Sequence, residues 1–180
     1  MENGFIETPL KYNQERSKWA IVSLQVALGI AITYLVASLF QIYAVNEIMS
    51  TENYESILFQ YMILLDACIP ILTLVILLVT AYLFISWCRR AYGNLHRLGV
   101  RNLSHTEDHV PWAFIIPIIS LFRPLKIIKE IDLETKKQIA ADPEKSYMIS
   151  YDTTISSWWV VFIASAFLSN IASRIYPEDF

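Results

Sequence analysis

The chain has 180 residues, 55% of them hydrophobic and 17% charged, with a formal net charge of −3. A soluble domain is about half apolar and about a quarter charged; the apolar excess here falls in long blocks, so a membrane protein of one domain is expected rather than a greasy globule. Cys68 and Cys88 lie in or beside one apolar block without metal-ligand spacing, and a straight helix would hold them about 30 Å apart, which excludes a disulfide and leaves buried free thiols.

Residues 1–18 are polar and mixed in charge. They lack the basic start, short apolar core and small residues of a cleaved leader. Span one is expected over 19–45, uncharged and long enough to cross about 30 Å of hydrocarbon. Tyr12 and Trp19 at one end and Tyr43 at the other suit the interface. The link NEIMSTENYES carries Glu47, Glu52 and Glu55 and no Lys or Arg. Span two follows over 57–87, longer than a crossing requires. Pro70 lies inside it, removing a backbone donor and predicting a kink near Asp66 to Pro70.

Residues 88–154 form a polar, mixed module. Within it, PWAFIIPIISLF (111–122) is apolar but short, and Pro117 breaks it. Twelve helical residues reach only about 18 Å, so a re-entrant or interfacial segment is expected rather than a crossing. From Leu125 the pattern changes. Leu125, Ile127, Ile128, Ile131 and Leu133 alternate with charged residues at helical period, predicting an amphipathic helix over 125–140 lying on the inner face of the membrane. Span three is expected over 155–176, opening with Trp158 and Trp159.

The basic residues set the expected orientation. Three Lys or Arg precede span one, none lies in the acidic link, ten lie between Cys88 and Ser156, and Arg174 lies near the C-terminus. Cytoplasmic segments carry the Lys and Arg excess, so the N-terminus and the module are placed inside. The expected class is thus all-α, with three transmembrane helices, the re-entrant or interfacial segment and the amphipathic inner-face helix.

The string W-x-x-R-A-Y-x-N-L-x-x-L-G occurs here as Trp87, Arg90, Ala91, Tyr92, Asn94, Leu95, Leu98 and Gly99. A second pattern follows in Trp112, Pro117, Ile118, Leu121, Arg123, Pro124 and Glu130. Together they resemble a family of bacterial multi-pass membrane proteins known only as a domain of unknown function, numbered in the four-thousand-three-hundreds. The resemblance is strongest over 87–132 and covers the flanking spans by hydropathy alone. Ser120 stands where the family pattern has Asn, and Asp132 where it often has Trp. Members usually carry a further span near the C-terminus, so a three-span variant or a trimmed chain is implied. The resemblance implies the bacterial inner membrane and no activity.

Asp66 is the only formal charge within span two. A carboxylate at mid-membrane costs roughly 2.5–3.5 kcal/mol on insertion scales. With Thr33 and Tyr34, and with Ser38, Ser165 and Ser169 at similar depth, it could form a proton or cation site; a protonated Asp66 bonded to a hydroxyl and locking helices together is the plainer role. His105 and His109 in HTEDH are four apart, but they stand in a polar link without the HExxH pattern, so a solvated loop is expected rather than a metal site. Arg90, Arg123 and Lys126 belong to a basic rim suited to anchoring on anionic lipid. A sharper role is a head-group pocket with Arg90 and Arg123 as phosphate ligands, covered by Tyr92 and Trp112. No phosphate-binding glycine loop, nucleophile elbow or C-x-x-C occurs. No cofactor, metal or catalytic residue is therefore assigned, and nucleic-acid binding is not expected of charges that face a bilayer. The expected function is a non-enzymatic accessory or scaffold subunit working through partners or self-association. A small transporter or ion-conducting oligomer using Asp66, and a lipid head-group binder, are the alternatives.

Overall fold

The computed structural model describes residues 9–51, 57–141 and 154–175, apart from the side chains of 47–51, 57–59, 66, 166, 169, 170 and 172–175. The described elements are α1 (Gln14–Thr51), α2 (Ile57–Arg97), α3 (His109–Ile115), α4 (Arg123–Ala140) and α5 (Thr154–Ile175), with no strand among the described residues. A 3-10 turn, Ile119–Leu121, separates α3 from α4. Two compact units result: Tyr12–Trp87, and the residues up to Lys11 together with those from Cys88 onward.

The first unit is an antiparallel pair made of α1 and the apolar part of α2. The Thr80 hydroxyl donates to the Ser23 carbonyl at 3.4 Å, the Arg16 guanidinium to the Ser86 carbonyl at 3.2 Å, and the Asn13 amide to the Trp87 carbonyl at 3.4 Å. Ala44 packs with Met62 at the opposite end. The less exposed face of α1 is built from small residues, among them Ala20, Ser23, Ala27, Ala37, Ser38 and Ala44, which let two backbones approach without large side chains between them. Leu28, Leu35 and Leu39 point away and are exposed.

Two helical stretches, Gln14–Asn46 and Gln60–Arg97, are long and apolar enough to cross a membrane. Only 6% of the most apolar window of each is buried within the protein, whereas the core helix of a soluble protein is covered on its apolar faces. Their surfaces are thus compatible with membrane insertion. α2 stays helical on both sides of Pro70. Cys88 is buried as expected, but Cys68 is exposed, because it faces away from the seam with α1. The side chain of Asp66, Glu52 and Glu55 of the acidic link, and Tyr176 lie outside the described residues.

In the second unit the last turns of α2 present Cys88, Tyr92 and Leu95, an i, i+4, i+7 stripe. It is buried, as are Val110 and Ala113 of α3 and Pro124, Ile127 and Ile131 of α4. α4 packs against α3 and α5. α2 stops at Gly99, whose φ of 72° suits the left-handed position that closes a helix. Its N–H donates to the His96 carbonyl at 3.1 Å and that of Val100 to the Leu95 carbonyl at 3.2 Å, satisfying carbonyls the helix end would otherwise leave free. The Asn94 side-chain amide clasps the Lys11 backbone from both sides, accepting from its N–H at 3.0 Å and donating to its carbonyl at 2.8 Å.

α4 is amphipathic over the expected stretch, and part of its apolar stripe faces protein while Leu133 is 46% exposed. Ile127 is fully buried and Ile131 nearly so, so these two of the five stripe residues close the module's core. The 111–122 segment breaks at Pro117 as expected. α3 ends at Ile115, Ile116 turns extended with ψ 117°, and the Ser120 hydroxyl donates to the Pro117 carbonyl at 2.7 Å. The tip so formed leaves large apolar side chains uncovered: Trp112 is 58% exposed, Ile118 78% and Phe122 72%. The Trp159 indole N–H of α5 donates to the Leu121 carbonyl at 3.0 Å, tying the tip to the opening turns of α5.

Overfilling the seam of the first unit tests how closely α1 and α2 approach. Ala44→Leu is expected to destabilise the detergent-solubilised protein by about 1–3 kcal/mol. Leu35→Ala, on the exposed side of α1, should change stability by less than about 0.5 kcal/mol. Thermal melting of the two variants makes the comparison.

Candidate functional site

The polar centre of the second unit is the Tyr92 hydroxyl. It donates to Glu130 Oε2 at 2.6 Å and accepts the His105 backbone N–H at 3.0 Å, using its donor and one lone pair. Glu130 also takes the Ser104 hydroxyl on Oε1 at 2.5 Å and the Ser104 N–H on Oε2 at 3.3 Å. The His105 carbonyl is in turn 2.9 Å from His96 Nε2. The end of α2, the loop after it and the middle of α4 are therefore joined through one phenol and one carboxylate.

Charge follows from this geometry. Burial pushes the Glu130 carboxyl upward, but donation from Ser104 and Tyr92 and the nearby Lys126 charge outweigh it, leaving Glu130 below the usual carboxylate range. His105 is held below the ordinary imidazole value, first by burial and then by the Arg123 charge; Lys126 and His109 act in the same direction and Glu130 against it. His105 Nδ1 is buried without a hydrogen-bond partner, which suits a neutral ring.

The loop is pressed onto α2 at a second point. Arg97 pairs with Glu107 at 3.2 Å, largely out of solvent. The Glu107 carboxylate occupies the space that a Cβ on Gly93 would need, so the absence of a side chain at 93 is what admits it. Arg89 pairs with Asp108 at 2.5 Å, but in an exposed setting where such a pair contributes little.

The residues singled out from sequence do not all come together. Arg123 and Lys126 come together, on consecutive turns of α4 and near enough to His105 for both charges to bear on it. Trp112 is exposed on α3, in the tip that leads into α4. Tyr92 is no cover for a head group: it is fully buried and its hydroxyl is committed to Glu130 and His105, because a phenol at an i+4 position from Cys88 falls on the core face. Arg90, two residues before Tyr92, lies on the opposite side of α2 from it and makes no ion pair or hydrogen bond among the described residues. Within the first unit, the Thr33 hydroxyl donates to the Gly29 carbonyl of its own helix at 2.9 Å and Tyr34 is exposed. In the second, Ser165 likewise donates to Phe162 at 2.8 Å. His109 pairs with the Thr106 hydroxyl at 2.6 Å, and no group of His, Cys, Asp or Glu able to hold a metal occurs among the described residues. Ser104 and Glu130 are central here, yet neither carried a sequence signal as a site beyond the family-pattern position of Glu130.

Tyr92→Phe should destabilise the module by about 1–3 kcal/mol, because it strips a donor from a half-buried carboxylate and orphans the His105 N–H. Stability should also fall on acidification in two stages. His105 has a lowered folded pKa, so the unfolded chain takes up a proton first and stability is lost from about pH 6.5 downward. Glu130 is also lowered, so its contribution is present above the unfolded carboxylate value of about 4.3 and is lost as the pH falls through the folded one. Denaturant melts of the wild type and of Glu130→Gln across this range check the sign; the variant should lose the second stage.

No curated protein and no solved structure matches the chain. A family described as Domain of unknown function (DUF4328) matches residues 58–179, nearly all of α2 and everything through α5. The residues that join the module (Tyr92, Asn94, Gly99, Pro124 and Glu130) all lie inside that match, and the chain belongs to this family.

Proposed function

We propose that this protein is a multi-pass protein of the bacterial inner membrane, acting without catalysis as an accessory or scaffold subunit through helix–helix contacts. The supporting observation is the uncovered apolar surface of α1 and α2, of which only 6% of each window is buried in the protein. Leu35, Val36, Leu39 and Phe40 on α1, and Leu74, Leu77 and Leu78 on α2, are all exposed. Surfaces of this kind are covered by lipid tails or by another helix.

In this reading α5 is a third span, entering the bilayer with Trp158 and Trp159 at the interface. The Trp159–Leu121 bond supports a tip at the same depth, as an interfacial or shallowly re-entrant element rather than a crossing. The basic excess between Cys88 and Ser156 keeps the N-terminus and the module on the cytoplasmic side.

A periplasm-active reporter fused after Lys145 should be silent; activity there would overturn the orientation. Photo-crosslinkers placed at Leu35 and Leu39 in living cells should trap a protein partner or a second copy in a defined band. Adducts to lipid alone would remove the support for a contact-based role.

A further inference from the structure

The cations of the module fall into two sets. Arg89, Arg97, Lys136 and Lys137 are paired with Asp108, Glu107, Asp132 and Glu134. Arg90, Arg101, Arg123, Lys126 and Lys129 make no ion pair or hydrogen bond among the described residues. Glu130 is the carboxylate nearest to Lys126 in sequence on this face of α4, and its oxygens already receive Tyr92 and Ser104. Arg123 and Lys126 are three apart and so share a helix face. Both are exposed, and they open α4 directly after Phe122.

Beside this unpaired charge stands the uncovered tip of Trp112, Ile118 and Phe122. Two free cations alone would attract any polyanion. Two free cations bordering an exposed apolar knob match a molecule with an anionic head and a hydrocarbon body. We propose that Arg123 and Lys126 bind the phosphate of an anionic phospholipid whose acyl chains lie against Trp112, Ile118 and Phe122. This site rests on the interfacial placement of the tip given above. Arg90, on the other side of α2 from the buried Tyr92 face, is no part of it.

The test uses the full chain purified in detergent, exposed to phosphatidylglycerol or phosphatidylcholine and weighed intact by native mass spectrometry. Phosphatidylglycerol should be retained in preference, and retention should fall at least about tenfold in Arg123→Gln/Lys126→Gln. Lys18→Gln/Lys137→Gln, which removes the same charge from α1 and from the far end of α4, should retain it as the wild type does. Equal loss in both double variants would reduce the effect to net charge and overturn the site, as would equal retention of the two lipids. Inorganic phosphate titrated into lipid-free protein should bind weakly. Tight phosphate binding that depends on Arg123 and Lys126 and is not displaced by phosphatidylglycerol would assign the residues to a soluble anion and overturn the lipid. Carbonate washing of membranes separates the two levels: release of the chain would overturn the membrane placement, whereas a retained chain without lipid preference overturns the lipid site alone.

Discussion

A carboxylate withdrawn from water must be met by donors, because burying it unpaired costs several kcal/mol. Glu130 is met from two directions: by Tyr92 at the end of α2 and by Ser104 in the loop that follows. The phenol does double duty, since the same oxygen receives the His105 N–H. Three stretches of chain are thereby held together; withdrawing Tyr92 would leave Glu130 with Ser104 alone and the His105 N–H without its acceptor. The apolar contacts of Val110, Ile127 and Pro124 supply bulk cohesion, but hydrophobic burial is non-directional. The Tyr92–Glu130 junction fixes which turn of α4 faces which turn of α2.

Fixing α4 fixes the tip. The loop from Gly99 to Asp108 is fastened at Ser104 and His105 by Glu130 and Tyr92, and at Glu107 by Arg97 over the bare backbone of Gly93. α3 starts immediately after this fastened loop and α4 starts immediately after the tip. The apolar residues of the tip are therefore exposed on a supported frame. Trp159 closes the frame from α5. Large apolar side chains held out in this way are left uncovered by the described residues, and in the proposed reading the membrane meets them there.

Hydrophobic periodicity made much of the architecture legible. Long apolar runs gave α1 and α2, the break at Pro117 separated α3 from α4, and the alternation after Pro124 gave the helical period of α4. Periodicity reports that a helix has an apolar face; it does not report what covers it. That is why the α4 stripe read as one surface, when Ile127 and Ile131 are buried against protein and Leu133 is exposed. Tyr92 was open to the same ambiguity, because a phenol suits both an interface and a core with one polar partner. Cys68 and Cys88 share one block of sequence, yet only the second is buried, since helical rotation decides which of them faces the packed side. The Ser104 and His105 contacts were out of reach for a different reason. Ser104 reaches Glu130, more than twenty residues later on α4, and His105 reaches back to Tyr92 on α2; no period encodes such pairings.

The division between paired and unpaired charge carries the last step. An exposed ion pair adds little stability, so the pairs of Arg89 with Asp108 and Lys137 with Glu134 chiefly neutralise their own neighbourhoods. Of the cations they leave without a partner among the described residues, Arg123 and Lys126 stand beside the exposed apolar tip. Glu130 would be the natural counter-charge for Lys126, four residues away on the same helix. Its engagement by Tyr92 and Ser104 directs its lone pairs inward and leaves the basic residues facing outward. The interaction that organises the core thus also shapes the charge at the surface: loosening Tyr92 from Glu130 would free a carboxylate to pair with Lys126 and weaken the attraction for an anion at that edge.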